Sequence, residues 1–218
     1  MTSSSSSELR TLTTPVGDAR VDVRAATGRR RATLVLGHGA GGGIGAADLV
    51  ALADGLPAHG VEVVRVEQPW VGAGRRVAAP PPTLDRAWLA VLEHLAVTGP
   101  LLVGGRSAGA RVACRTAEAV GASGVLALSF PLRPPGAPEK TRLPELDLPA
   151  AVGLPTLVLQ GTRDPFGGPP DIPPAAGRLV VPVEGGDHSL RVPVAAGGPA
   201  WASLVAVTLA WALEVASG

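Results

Sequence analysis

The run Gly105-Arg106-Ser107-Ala108-Gly109 sets a serine between two glycines at the spacing G-x-S-x-G, directly after an apolar run and directly before a helical pattern. A serine on so sharp a strand-to-helix turn is held in a strained conformation, and the chain passes so close to itself that Gly105 and Gly109 must lack side chains. Its hydroxyl is then presented above a sheet edge, at the positive end of a helix. The plainer reading is a Gly-rich turn whose serine only caps the helix. Strand, turn, helix and both glycines agree, which favours a nucleophile. A serine hydroxyl reacts poorly until a base takes its proton, so a histidine, and an acid to orient it, should follow in the order Ser, Asp, His. Asp164 lies in Gln160-Gly-Thr-Arg-Asp-Pro-Phe166 after the apolar run 155–159, and His188 in Gly185-Gly-Asp-His-Ser-Leu190 after the run 177–183. Ser107, His188 and Asp164 are thus the expected nucleophile, base and orienting acid of an acyl transfer.

Acyl transfer builds negative charge on the substrate oxygen, which two backbone N–H groups can stabilise. The residue after the nucleophile supplies one, and Leu36-Gly-His-Gly-Ala-Gly-Gly-Gly43 lies after an apolar run where the other is needed. The amides of Ala108 and Ala40 are assigned, with Gly41 as fallback, and His38 is read as fixing the loop. The same string spells Gly37-x-Gly39-x-x-Gly42, a dinucleotide fingerprint, with Glu67 placed to bind a ribose. That reading would leave the serine, aspartate and histidine loops unexplained.

The remaining candidates carry weaker signals. Asp187 and Asp171 rival Asp164; the first is read as capping a turn, and the second sits in a proline-rich loop with no strand before it. His59 and His94 fall on or beside helices. Arg106 and Arg163 each neighbour a catalytic candidate and suit either an acidic substrate group or an ion pair inside the loops. Trp70, Phe130 and Phe166 are placed to line an acyl or aromatic pocket, or simply to pack its rim. Cys114, one turn into a helix, is read as buried and inert. Arg29, Arg30 and Arg31 decorate a turn.

These residues need a frame, and the hydrophobic pattern supplies one. Two alternating runs, 9–15 and 19–25, flank Val16-Gly17-Asp18 and predict a hairpin. Compact apolar runs follow at 32–36, 61–66, 100–103, 124–128, 155–159 and 177–183, and runs without alternation suit strands buried on both faces. Between them Leu49, Leu52, Ala53 and Leu56 mark a helix ending at Gly60. Leu84, Trp88, Val91, Leu92 and Leu95 mark a second with Thr83 as N-cap. A third should run from Ser107 to Val120 and stop at Gly121. The last should start near Pro199 and bury Trp201, Leu204, Val205, Thr208 and Leu209. Alternating strands and helices predict an α/β fold: about eight strands, mostly parallel with an antiparallel N-terminal hairpin, and helices on both faces. Ligands should bind outside the carboxyl ends of the strands. The only candidate lid, 131–149, is short and proline-rich, so the lid is minimal.

Composition narrows the partners. The 218 residues suit one domain, read as 9–218 behind a disordered Ser-rich tail at 1–8. With 19 basic against 18 acidic residues there is no electrostatic case for nucleic acid or an anionic membrane. No apolar h-region follows the tail and no membrane-length apolar stretch occurs, which predicts a cytoplasmic protein. One cysteine excludes an internal disulfide and a multi-cysteine metal site. No metal and no organic cofactor is required; the partner is a small-molecule acyl substrate, and the chain a monomer or homodimer.

Taken together, these motifs resemble the α/β-hydrolase superfamily over nearly the whole chain. The stretches 36–42, 105–111, 130–142, 160–166 and 185–190 resemble more narrowly the dienelactone-hydrolase-like branch. That branch also holds the testis-expressed hydrolase-like proteins and the scaffold subunit of the non-specific-lethal acetyltransferase complex. The resemblance implies the α/β-hydrolase fold with Ser107, Asp164 and His188 as triad, and a serine esterase or thioesterase, or a catalytically silent scaffold on the same fold. Two positions depart from the pattern: Ala110 stands where a glycine is usual, and 167–176 carries four prolines where relatives have a helix.

Overall fold

The computed structural model describes residues 7–137, 139–193 and 201–218. Its centre is a sheet of eight strands: β1 (Ser7–Thr14), β2 (Gly17–Arg24), β3 (Ala32–Gly37), β4 (Val61–Glu67), β5 (Leu101–Arg106), β6 (Gly124–Leu128), β7 (Thr156–Gly161) and β8 (Arg178–Val183). They lie in the order β1-β2-β4-β3-β5-β6-β7-β8. β1 and β2 form the expected antiparallel hairpin, β2 meets β4 antiparallel, and every pair from β4 to β8 is parallel. The hairpin turn lies one residue earlier than the Gly-Asp signal suggests. Thr14 pairs with Gly17, so Pro15 and Val16 make the turn and Asp18 already pairs with Thr13.

Six helices cover the sheet: α1 (Ala47–Gly55), α2 (Pro69–Gly72), α3 (Pro81–Leu95), α4 (Ala108–Thr116), α5 (Leu143–Ala151) and α6 (Trp201–Val215). The central strands show why their sequences read as continuously apolar. Leu34, Leu36, Leu102, Leu126, Leu128, Leu157 and Leu159 face α1 and α6, whereas Val35, Val103, Val125, Ala127 and Val158 face α3, α4 and α5. The valine and alanine layer suits α4, which meets the sheet through Ala110 and Ala113. Burying each such aliphatic side chain contributes about 1.5–3 kcal/mol.

Helix ends depart from expectation in instructive ways. α1 stops at Gly55, a 3-10 turn over Pro57–His59 continues the path, and Gly60 then takes the left-handed conformation at φ 83°. α3 begins at Pro81, so Thr83 lies inside its first turn and caps nothing; proline needs no partner for an absent N–H at the first helical position. α4 is regular to Thr116 and closes through turns that end at Gly121, φ 63°. α6 buries Leu204, Thr208, Trp211 and Ala212, while Trp201, Val205 and Leu209 are only partly covered. Its expected start near Pro199, like most of the tail at 1–8, lies outside the described residues. The segment 167–176 holds only a 3-10 turn, Pro169–Asp171, as its prolines dictate. The candidate lid ends in a helix: α5 is docked to the body, Glu145 accepting from Arg111 (2.6 and 2.8 Å) and Arg115 (2.7 Å) of α4.

That network makes a prediction about pH. Burial opposes the charge of Glu145, but the hydrogen bonds and charges of Arg111 and Arg115 prevail and hold its carboxyl below the ordinary value. A depressed folded-state pKa contributes stability that is present above the unfolded carboxyl pKa and is lost as pH falls through the folded one. Glu145→Gln is therefore expected to lower the thermal midpoint at pH 7. The difference from the native chain should shrink steadily below about pH 4; a gap that stays constant down to pH 2.5 would contradict the assignment.

Candidate active site

Ser107 sits between β5 and α4 with φ 53° and ψ −108°, a strained conformation for a residue with a side chain. Its amide donates to the Leu128 carbonyl (2.9 Å) and its carbonyl accepts from the Arg111 amide (3.1 Å), so both sides of the turn are pinned. The flanking glycines are sterically obligatory: a Cβ on either Gly105 or Gly109 would lie 2.3 Å from the carbonyl oxygen of Gly37 on β3.

The loop after β8 brings His188 to this serine, with Nε2 3.0 Å from the Ser107 Oγ. On the other side of the ring, Nδ1 lies 2.8 and 3.0 Å from the two carboxylate oxygens of Asp164, in the loop after β7. A carboxylate only accepts, so the proton resides on Nδ1 and Nε2 is left to accept from the serine hydroxyl. The Asp164 side chain is fully buried, and it is compensated by further donors: Gln160 Nε2 (3.0 Å) and the Phe166 amide (2.8 Å). Gln160 was not singled out from the sequence. The signal was there, since a glutamine ends an otherwise apolar buried strand. The acid and base loops are laced together by Thr162 N–H to Val183 O (3.1 Å), Arg163 N–H to Gly186 O (2.9 Å) and Gly185 N–H to the Thr162 hydroxyl (2.9 Å).

The third loop follows β3. His38 is buried, donates from Nδ1 to the Gly39 carbonyl (2.8 Å) and accepts the Gln68 amide at Nε2 (3.1 Å), an arrangement open only to neutral imidazole. Burial accordingly pushes its pKa down, against the opposing effects of the Gly39 carbonyl and the Glu67 charge. The far end of the loop is held by Arg65, which donates to Ile44 O (2.9 Å) while paired with Asp22. Ala40 and Ala108 line one narrow cleft with Trp70, Leu84, Trp88 and Val112, and neither alanine amide has an acceptor among the described residues. Gly41 is exposed, with open space around it.

The other candidates sort by their surroundings. Trp70 lies on the short helix α2, not on a loop, and packs against His38 with centroids 5.6 Å apart. Phe166 stacks on His188 at 4.2 Å. Phe130 is fully buried in the core, its carbonyl accepting from Gln160, so it lines no open pocket. Arg106 is not turned to a substrate: its guanidinium is engaged by Asp48, Ser189 and the His188 carbonyl. Asp187 caps the amides of Ser189 and Arg191, and Asp171 caps Gly168 and pairs with Arg133, so neither reaches the histidine. His59 and His94 are exposed on helical segments. The Cys114 thiol is pushed up to about 12, by burial first and then by the Glu145 charge, and is inert. Glu67 is paired with Arg20, and α1 begins only at Ala47, well beyond Gly42, so the dinucleotide fingerprint is not assembled. Among the described residues, no group of three His, Cys, Asp or Glu side chains could hold a metal ion, and none of the described helices is long and apolar enough to cross a membrane.

Known proteins agree with this architecture. No curated protein matches the sequence. Among solved structures, the chain is similar to an α/β serine hydrolase without lid from Xanthomonas campestris: 19% identity, TM-score 0.70, over 97% of this chain and 94% of that one. It is similar to Est1E from Butyrivibrio proteoclasticus, solved with ferulic acid bound, with 14% identity and TM-score 0.74 over 96% and 100% of the two chains. An esterase domain from Rhodothermus marinus matches with 16% identity and TM-score 0.70 over 96% and 98%. At these identities the likeness is one of fold. A family model described as an alpha/beta hydrolase domain matches residues 30–212, and the chain therefore belongs to the α/β-hydrolase family.

Proposed function

We propose that this protein is a serine hydrolase that cleaves a carboxylic ester or thioester through an acyl-enzyme. The observation that carries the reading is the continuous hydrogen-bonded chain from buried Asp164 through His188 to Ser107, at 2.8 and 3.0 Å. Ser107 Oγ attacks the acyl carbonyl while its proton passes to His188 Nε2, and Asp164 stabilises the imidazolium that forms. The carbonyl oxygen becomes an oxyanion held by the Ala40 and Ala108 amides. Collapse of this intermediate breaks the bond to the leaving group, which takes the proton from His188. Water, deprotonated by the same imidazole, then attacks the acyl-enzyme and releases the acid, returning Ser107 to its hydroxyl form. These steps call only on side chains and backbone amides of the chain. The serine-hydrolase description of the Xanthomonas campestris structure and the esterase name of the Rhodothermus marinus domain support the same reaction class, and the motifs favour the dienelactone-hydrolase-like branch.

Shape constrains the substrate. The cleft beside Ala40 and Ala108 has only about 10 Å³ of free volume, room for about one water-sized group. It adjoins, through Gln68 and Trp70, an outer groove of about 570 Å³ bordered by Arg20, Val71, Arg75 and Ala79. A short acyl group on the serine with the larger leaving group in the groove fits this division.

Labelling with a fluorophosphonate probe tests the nucleophile. The native chain is expected to label at Ser107, Ser107→Ala not at all, and His188→Ala at least about 100-fold more slowly, with circular dichroism confirming that each is folded. A folded native protein that stays unlabelled would instead favour a silent binding protein, to be pursued by its ligands. On aryl esters, acetate should be hydrolysed at least tenfold faster than octanoate in kcat/KM; the reverse order sinks the short-acyl assignment. His38→Ala, which frees the loop carrying Ala40, is expected to lower kcat by roughly 10-fold to 100-fold with KM little changed. An equal rise in KM would place the loop in substrate binding instead.

A further inference from the structure

The residue before the nucleophile has a place of its own. The Arg106 side chain is only 16% exposed, and its Nη2 donates to the Ser189 hydroxyl at 2.6 Å and to the His188 carbonyl at 3.3 Å. Its Nε lies 3.6 Å from Oδ2 of Asp48, in the first turn of α1, whose side chain is 2% exposed. Asp48 Oδ1 accepts the Leu49 amide (3.0 Å), but Asp48 Oδ2 and Arg106 Nε have no hydrogen-bond partner among the described residues; burial pushes the Asp48 pKa up, opposed chiefly by the charge of Arg106 and less by that of Arg191. A buried ion pair of this kind adds little to stability by itself and fixes geometry well.

The geometry it fixes is that of the base. On the acid side the base loop is laced to the β7 loop by backbone hydrogen bonds. On the nucleophile side, among the described residues, the hydrogen bonds to it are the His188–Ser107 contact itself and the two from Arg106. We propose that Arg106, anchored on α1 by Asp48, is a positioning residue that holds His188 within reach of Ser107; this rests on the hydrolase reading for its catalytic meaning. Arg106 ends β5 and directly precedes the turn that carries Ser107, and its planar fork addresses two acceptors and an anion at once. A lysine ammonium in its place has no such fork.

The test is ¹H–¹⁵N imidazole spectroscopy on the full chain, with the His188 signals identified by their loss in His188→Gln. In the native protein His188 should show a single Nδ1–H tautomer. In Arg106→Ala it should show mixed tautomers and a displaced titration midpoint, with fluorophosphonate labelling slowed about 10-fold to 100-fold. Asp48→Asn, which keeps the acceptor for Leu49 but removes the charge, should fall between the two. Ser189→Ala, a smaller change that covers the case in which Arg106→Ala fails to fold, should shift the same signals in the same direction. Unchanged tautomer and titration in folded Arg106→Ala, or in both Asp48→Asn and Ser189→Ala, overturns the proposal. A native spectrum as expected in a protein that the probe never labels overturns the hydrolase reading instead, and leaves the positioning role standing on the variants' spectra.

Discussion

The structure hangs on one close contact between two stretches of backbone. β3 at Gly37 and the turn from β5 into α4 approach until no Cβ fits at Gly105 or Gly109, and this proximity forces Ser107 into the left-handed region at φ 53°. Strain of this kind costs about 1–3 kcal/mol and persists only where the surroundings over-determine it. Here they do. The Ser107 amide is tied to β6 through Leu128, and α4 is sealed to the sheet by small residues on one side and to α3 and α5 by the arginine and carboxylate network on the other. The result is a hydroxyl in a fixed place at the carboxyl edge of the sheet.

Everything else at the site is arranged around that fixed point. The β3 loop brings Ala40 beside Ala108, and its position is set by a neutral histidine inside and an arginine at its far end. The β7 and β8 loops bring Asp164 and His188 together as one laced unit, with Gln160 donating to the carboxylate and Phe166 against the imidazole. Polar groups buried in such a place are costly unless paired, and the pairing is what gives them a single geometry. Arg106, just before Ser107, donates to the β8 loop and so links this laced unit to the turn between β5 and α4.

Trp70 illustrates how far the sequence pattern reaches. It follows a strand end, and an aromatic there suggests a pocket wall; the wall is real, but the residue is mounted on a one-turn helix opened by Pro69 and held against His38. Phe130 carried the same expectation on the same grounds and lies in the core, its carbonyl accepting from the buried Gln160. Arg106 suited an acidic substrate or an internal ion pair equally well in sequence. Only the position of Asp48, nearly sixty residues earlier, separates the two.

The sequence by itself determined the eight strands and four of the six described helices, missing the one-turn α2 and the proline-rich α5. Alternation marked the hairpin, unbroken apolar runs marked strands covered on both faces, and glycine spacing around Ser107 announced a turn that only one backbone path satisfies. The motifs also placed Asp164 and His188 on loops at the carboxyl ends of strands, which is where they meet Ser107 in the structure. Tertiary structure alone decided which leucine or valine faces which layer, since that parity follows from the pairing register and not from the run itself. It also shows which carboxylate meets His188: Asp164, already preferred from its motif, lies 2.8 and 3.0 Å from the imidazole, while Asp187 and Asp171 are held by partners of their own. Local pattern fixes what a segment can be; side-chain partners drawn from distant segments fix what it does, and their meeting is a property of the packed chain.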